Sequence, residues 1–157
     1  VKKYDGQLYG VNAKRSVKKT IIERGLTAVD PKQIPPNMVL GGDLYFERFK
    51  AAMGGHVPDD KLDAYFLAQS YTDSVMAHWF SNWNNFKLNF LIAGSFHTDY
   101  QDGVVHQLNN INSNRTVTIK IVDLTELAED ERKAVFVPHK KYGVLADYLY
   151  VIDDEKE

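Results

Sequence analysis

Residues 88–103 read LNFLIAGSFHTDYQDG. Leu88–Ala93 is apolar apart from Asn89, the run stops at Gly94-Ser95, and His97, Asp99 and Tyr100 follow directly. A strand covered on both faces needs such an apolar run, so Leu88–Ala93 is expected to be a strand of a parallel sheet. In parallel sheets ligands collect beyond the carboxyl ends of the strands. Gly94 lets the chain turn sharply there, and His97 is then expected to project from the loop.

Outward from this stretch, helical and strand patterns alternate. Ahead of it, Leu8–Val11 is a short apolar run leading into AKRSVKKTIIERG, a helix predicted to end at Gly25. Val17, Ile21 and Ile22 form its inner face, while Lys14, Arg15, Lys18, Lys19 and Arg24 solvate the outer one. Residues 30–43 carry three prolines and two glycines and read as a connection. LYFERFKAAM is a short helix closed by Gly54-Gly55. Behind the stretch, Asp102 to Ile111 is predicted helical, TVTIKIVDL a strand, TELAEDERKAV an acidic helical or irregular segment, and DYLYVI a last strand. NNINSNR reads as a polar turn, whose Asn114-Arg115-Thr116 fits the glycosylation triplet.

The longest helical pattern runs from about Asp60 to Asn82. At 100° per residue, Leu62, Tyr65, Phe66, Ala68, Thr72, Met76, Trp79, Phe80 and Trp83 share one face, and Ser70, Ser74, His78, Ser81 and Asn82 lie opposite. Gln69 and Asp73 interrupt the apolar face one turn apart. A carboxylate there costs several kcal/mol unless it finds a partner. It either caps a nearby loop or looks into a site.

Together these patterns predict an α/β fold, a parallel sheet flanked by helices with a small helical subdomain at roughly residues 40–82. The length of 157 residues suits one domain, or the C-terminal part of one. A net charge of −2 leaves no basic excess for nucleic acid. No apolar run reaches the length of a membrane span, and the first residues lack the apolar core of a signal peptide. The absence of cysteine excludes disulfides, thiolate metal sites and cysteine nucleophiles. Neither a Walker lysine, a Gly-x-Gly-x-x-Gly turn, a His-Glu-x-x-His pair nor a Gly-x-Ser-x-Gly elbow is present.

Several pieces resemble the ChaN-like haem-binding proteins of the Tiki-related superfamily. They are YGVNAKRSVKKTIIERGL, FERFKAAMGGH, FLAQSYTDSVMAHW, LIAGSFHTDYQDGVVHQL with its Gly-x-x-His loop, and ADYLYVI, in this order and spacing. The resemblance implies a haem-binding protein of bacterial haem and iron uptake, without catalysis, that takes ferric haem through a tyrosine at a homodimer interface. Phenolate is a hard anionic ligand for ferric haem, as in catalase. By this resemblance Tyr100 is the foremost candidate iron ligand and Tyr65 the next. His97, His56 and Lys141 are candidates for the propionates or pocket wall, with Lys140 beside them. Gln69 and Asp73 would support the Gly94–Tyr100 loop, and His106 and His139 receive no role. The resemblance further implies a bacterial envelope location on the periplasmic side, with a lipid anchor in the full-length protein, and an outer-membrane haem receptor as a possible partner. It implies too that the family's amino-terminal half, with an earlier histidine motif, has no counterpart in these residues. The alternative is a metal-dependent hydrolase or peptidase, with His97 as ligand and Asp73 orienting it. One such motif supplies too few ligands for a catalytic metal.

Overall fold

The computed structural model describes residues 6–83, 88–111 and 116–153. Among these, five α-helices and two strands follow one another: α1 Arg15–Arg24, α2 Asp43–Met53, α3 Leu62–Asn82, α4 Val104–Ile111, β1 Ile119–Asp123, α5 Glu129–Val135 and β2 Tyr148–Ile152. The fold is α/β. β1 and β2 pair in parallel with Ile119 opposite Tyr148 and Asp123 opposite Ile152, joined through α5.

Local chemistry sets the helix ends. α1 stops where the Gly25 N–H returns to the Ile21 carbonyl. α2 closes on Gly54 at φ 44°, a left-handed cap that glycine adopts without a Cβ penalty. α3 follows a 3-10 turn at Asp59–Lys61 and runs for 21 residues.

α3 is the hub. Ala68, Tyr71 and Val75 pack on Val17 and Ile21 of α1, Leu62 and Phe66 pack on Tyr45 and Phe49 of α2, and Met76 and Ala77 pack on Val104 and Leu108 of α4. Side chains such as Ile21 and Phe66, withdrawn from water, each contribute about 1.5–3 kcal/mol. Three-sided packing corrects the expected polar face of this helix: Ser70 and Ser74, predicted to meet solvent, are only 1% exposed, whereas Trp79, predicted to face inward, is 47% exposed. A central helix is covered all round, and its small polar residues mark close approach of neighbours. Gly41 shows this directly, donating its N–H to Ser70 Oγ while lying against the Tyr45 and Phe66 rings.

The connection over 30–43 is tied down by side chains that stand in for secondary structure. Gln107 of α4 exchanges two hydrogen bonds with the Val39 backbone, and the Tyr71 hydroxyl donates to the Gln33 carbonyl.

Leu88–Ala93, expected to be a doubly covered strand, forms no regular structure and pairs with no strand among the described residues, with Leu88, Phe90 and Ile92 at least 69% exposed. Leu8–Val11 likewise joins no ladder among the described residues. Among the described residues the sheet therefore has two strands, and Leu88–Ala93 is not one of them. An apolar run encodes a preference for burial but does not supply a ladder partner. β1 takes β2 on one side, and a cavity of about 340 Å³ lies between β1 and residues 89–93. Asn114 and Arg115 of the glycosylation triplet lie outside the described residues.

Candidate functional site

The loop after Gly94 folds back onto α3 through a buried polar network. Asp73, 0% exposed, accepts from the Tyr45 hydroxyl at 3.0 Å and lies 2.5 Å from His97 Nδ1. Gln69 donates from Nε2 to the Tyr45 oxygen at 2.9 Å and sits 3.1 Å from His97 Nδ1. Burial raises the Asp73 carboxyl above its ordinary value, against the lowering effect of its bonds to His97 and Tyr45. Burial, reinforced by the Asp73 charge, holds the Tyr45 phenol far above the usual range, so it remains a donor. His97 turns its Nδ1 to both Asp73 and Gln69, and its side chain is 20% exposed. His97 is thus held in orientation through Nδ1 by the Asp73 carboxyl group.

Three residues on, Tyr100 occupies the left-handed region at φ 63°, ψ 27°, and Gln101 follows at φ 63°. Neither is glycine. Such conformations cost of order 1 kcal/mol or more and persist where the surroundings fix them. Here the Tyr100 N–H donates to the Leu145 carbonyl, Gln101 bonds to Thr118 Oγ1, and Asp99 receives the Lys120 ammonium on both oxygens at 2.8 Å. Arg48 of α2 reaches across to the Asp102 carboxylate at 2.7 Å and the Asp99 carbonyl at 2.9 Å, its guanidinium 4.6 Å from the Tyr100 ring centre. On the other side of Tyr100 stand Tyr142 and His139, with ring centres at 5.4 and 6.1 Å. The His139–Gly143 hairpin turns His139 Nδ1 into an acceptor for the Lys141 and Tyr142 N–H groups.

The structure therefore gathers His97, Gln69 and Asp73 into one network and sets Tyr100 on the adjoining surface. Lys141 stands near that surface, its ammonium 5.9 Å from the Tyr142 ring centre, whereas Tyr65 and His56 are not gathered there. Tyr65 packs against the α2–α3 aromatic cluster, as does Phe96. His56 is exposed after the end of α2, and its own backbone N–H returns to Met53. Lys141 is ion-paired with Glu47, which raises its pKa, whereas Lys140 is exposed beside it. Tyr45, Arg48, His139 and Tyr142 were not singled out by sequence. Tyr45 and Arg48 read as ordinary members of an amphipathic helix, and only their three-residue spacing on one face hinted at a common target.

Among the described residues no group of three or more His, Asp or Glu is arranged to hold a metal ion. No described helix is long and apolar enough to cross a membrane. No curated protein and no solved structure matches the chain. The family model described as haem-binding uptake, Tiki superfamily, ChaN, does match, over residues 1–108, which takes in α1 to α3, the His97–Tyr100 loop and the first turns of α4. The match spans more than two thirds of the sequence, and on it the chain belongs to the ChaN family of haem-binding uptake proteins.

Proposed function

We propose that the chain binds ferric haem non-catalytically, with the Tyr100 hydroxyl oxygen as iron ligand, and that it does so as a homodimer at the bacterial envelope. The observation that carries this reading is the backbone of Tyr100, held in a left-handed conformation that presents a half-buried phenol between Arg48 and the Tyr142–His139 pair. A haem site requires an axial donor, flat apolar walls and hydrogen-bond donors for two carboxylates. The residues around Tyr100 support that list: a phenol oxygen, the stacked rings of Tyr142 and His139, and the Lys141 ammonium 5.9 Å from the Tyr142 ring centre. His97 Nε2, fixed through Asp73, supplies a further donor or acceptor on the loop. When bound, ferric haem supplies a Lewis-acidic iron for which phenolate is a hard partner.

Absorbance titration with ferric haem tests the assignment. The wild-type chain is expected to give a high-spin spectrum with a phenolate-to-iron charge-transfer band. Tyr100→Phe is expected to lose that band and bind about tenfold more weakly or worse, a change of about 1.4 kcal/mol or more. Loss in Tyr65→Phe instead moves the ligand to α3, and an unchanged spectrum in both variants ends the tyrosine assignment. Sedimentation of the loaded protein reads whether haem tracks a dimer.

A further inference from the structure

Arg48 of α2 is 10% exposed, and its guanidinium lies among three aromatic rings, 4.6 Å from the Tyr100 centre, 5.5 Å from Phe96 and 5.8 Å from Tyr45. Its Nη1 donates to the Asp99 carbonyl at 2.9 Å and to the Asp102 carboxylate at 2.7 Å. These two acceptors stand on either side of the left-handed pair Tyr100–Gln101. One side chain therefore holds both ends of the strained turn and covers the ring between them. The neighbouring cations are engaged elsewhere: Lys120 binds both oxygens of Asp99, and Lys141 pairs with Glu47.

Folding alone does not ask for a charge at this place. When both members of a covered ion pair are replaced by apolar packing, stability is often unchanged or higher, so such a pair is weak evidence for a stabilising role. A guanidinium does what an apolar side chain does not: it stacks on a ring while donating hydrogen bonds in its own plane. It also sets a positive charge against the π-system. A phenolate that ligates ferric iron spreads negative charge into its ring. A cation over that ring stabilises the anion and draws electron density away from the metal. We infer that Arg48 is a positioning residue for the Tyr100 ligand, fixing the orientation of the ring and moderating how strongly its oxygen donates to ferric iron. The inference rests on Tyr100 being the iron ligand.

The test compares Arg48→Lys, which keeps the charge and loses the planar fork, with Arg48→Gln, which keeps an amide donor and loses the charge. Each is titrated with ferric haem beside Tyr100→Phe, and the phenolate-to-iron band and the reduction potential are read. Arg48→Gln is expected to move the band to longer wavelength and to lower the potential, whereas Arg48→Lys stays near wild type in both. In the unloaded chain, isotope-labelled at tyrosine Cζ, the Tyr100 signal is expected to move further in Arg48→Gln than in Arg48→Lys. Asp102→Asn provides a second arm should Arg48→Gln fail to fold. It strips the guanidinium of its countercharge and is expected to shift band and potential in the opposite sense. Three results overturn the inference while leaving Tyr100 as the ligand: weaker binding in both Arg48 variants with band and potential unmoved, an unmoved Tyr100 signal in Arg48→Gln, or shifts of the same sign in Arg48→Gln and Asp102→Asn. A band that survives in Tyr100→Phe removes the ligand assignment itself, and this inference falls with it.

Discussion

Asp73 is the residue on which the site's geometry turns. It sits one turn below Gln69 on a helix otherwise packed with apolar and small side chains, and it satisfies Tyr45 from α2 and His97 from the loop at once. Asp73→Ala leaves a buried hydroxyl and an imidazole N–H without acceptors. The expected cost is about 2–4 kcal/mol in urea unfolding, one unpaired donor being worth about 1–3. Because burial raises the Asp73 carboxyl above 3.8, the folded chain takes up its proton at higher pH than the unfolded chain does. This contribution to stability is fully present below pH 3.8 and is lost as pH rises through the folded-state value. Asp102, raised mainly by its own burial, adds in the same direction. Urea melts from pH 3.5 to 8 are expected to show a fall with pH in wild type that is shallower in Asp73→Asn. A parallel pair of curves would mean that Asp73 does not titrate in this range.

At the scale of elements, two contacts decide whether the loop meets the helices. Gly103 lies at φ 55° just ahead of α4, and a Cβ on it would stand 2.4 Å from the His97 carbonyl oxygen. That neighbour is backbone and cannot step aside alone. Gly103→Ala is therefore expected to cost about 2–4 kcal/mol, strain plus overpacking, and to displace His97 from Asp73. The loss of the His97 ring-proton signature of that bond in NMR would report it; an unchanged signal with unchanged stability would show that the Gly103–His97 approach does not set the loop's position. Arg48 is the other contact. It is 10% exposed and holds Asp102, also largely covered, across from α2. Arg48→Met leaves that carboxylate unpaired and is expected to cost about 3–5 kcal/mol, and to increase exchange at Tyr100 and Gln101 before any global melting.

For the whole molecule, the dominant feature is an uncovered sheet face. Ile119, Ile121, Tyr148, Tyr150 and Ile152 alternate onto one side of the β1–β2 pair and are 42–65% exposed, beside Phe90 and Ile92. A parallel sheet ordinarily buries both faces, and a contiguous exposed apolar patch is a candidate association surface. The isolated chain is expected to bind an apolar fluorescent dye and to associate at tens of micromolar. Ile121→Lys with Tyr150→Lys should lower both effects and shift global stability by no more than about 1 kcal/mol, the range for exposed positions. If dye binding and association persist in the double variant, the exposed 88–93 segment is their source instead.

How much of this was legible beforehand differs by scale for a physical reason. Gly25 and Gly54 announced the ends of α1 and α2 because a cap is a local backbone requirement written in adjacent residues. Gln69 and Asp73 stood out because periodicity is local as well, and a carboxylate on an apolar face demands an answer. The answer itself, Tyr45 and His97, sits 28 and 24 residues away from Asp73 and could not be read from spacing. The same holds for Arg48 over Tyr100 and for the His139 hairpin. Leu88–Ala93 shows the limit most clearly. Its composition determined an apolar segment without a helical pattern, but pairing needs a second backbone at ladder distance, and none of the described residues provides it. The sequence by itself thus determined the family, the helices with their caps, and the Gly94–Tyr100 loop. Tertiary structure alone decided which side chains face each other there, which surfaces stay open, and which polar groups are buried, because burial and contact depend on distant segments that local chemistry does not encode.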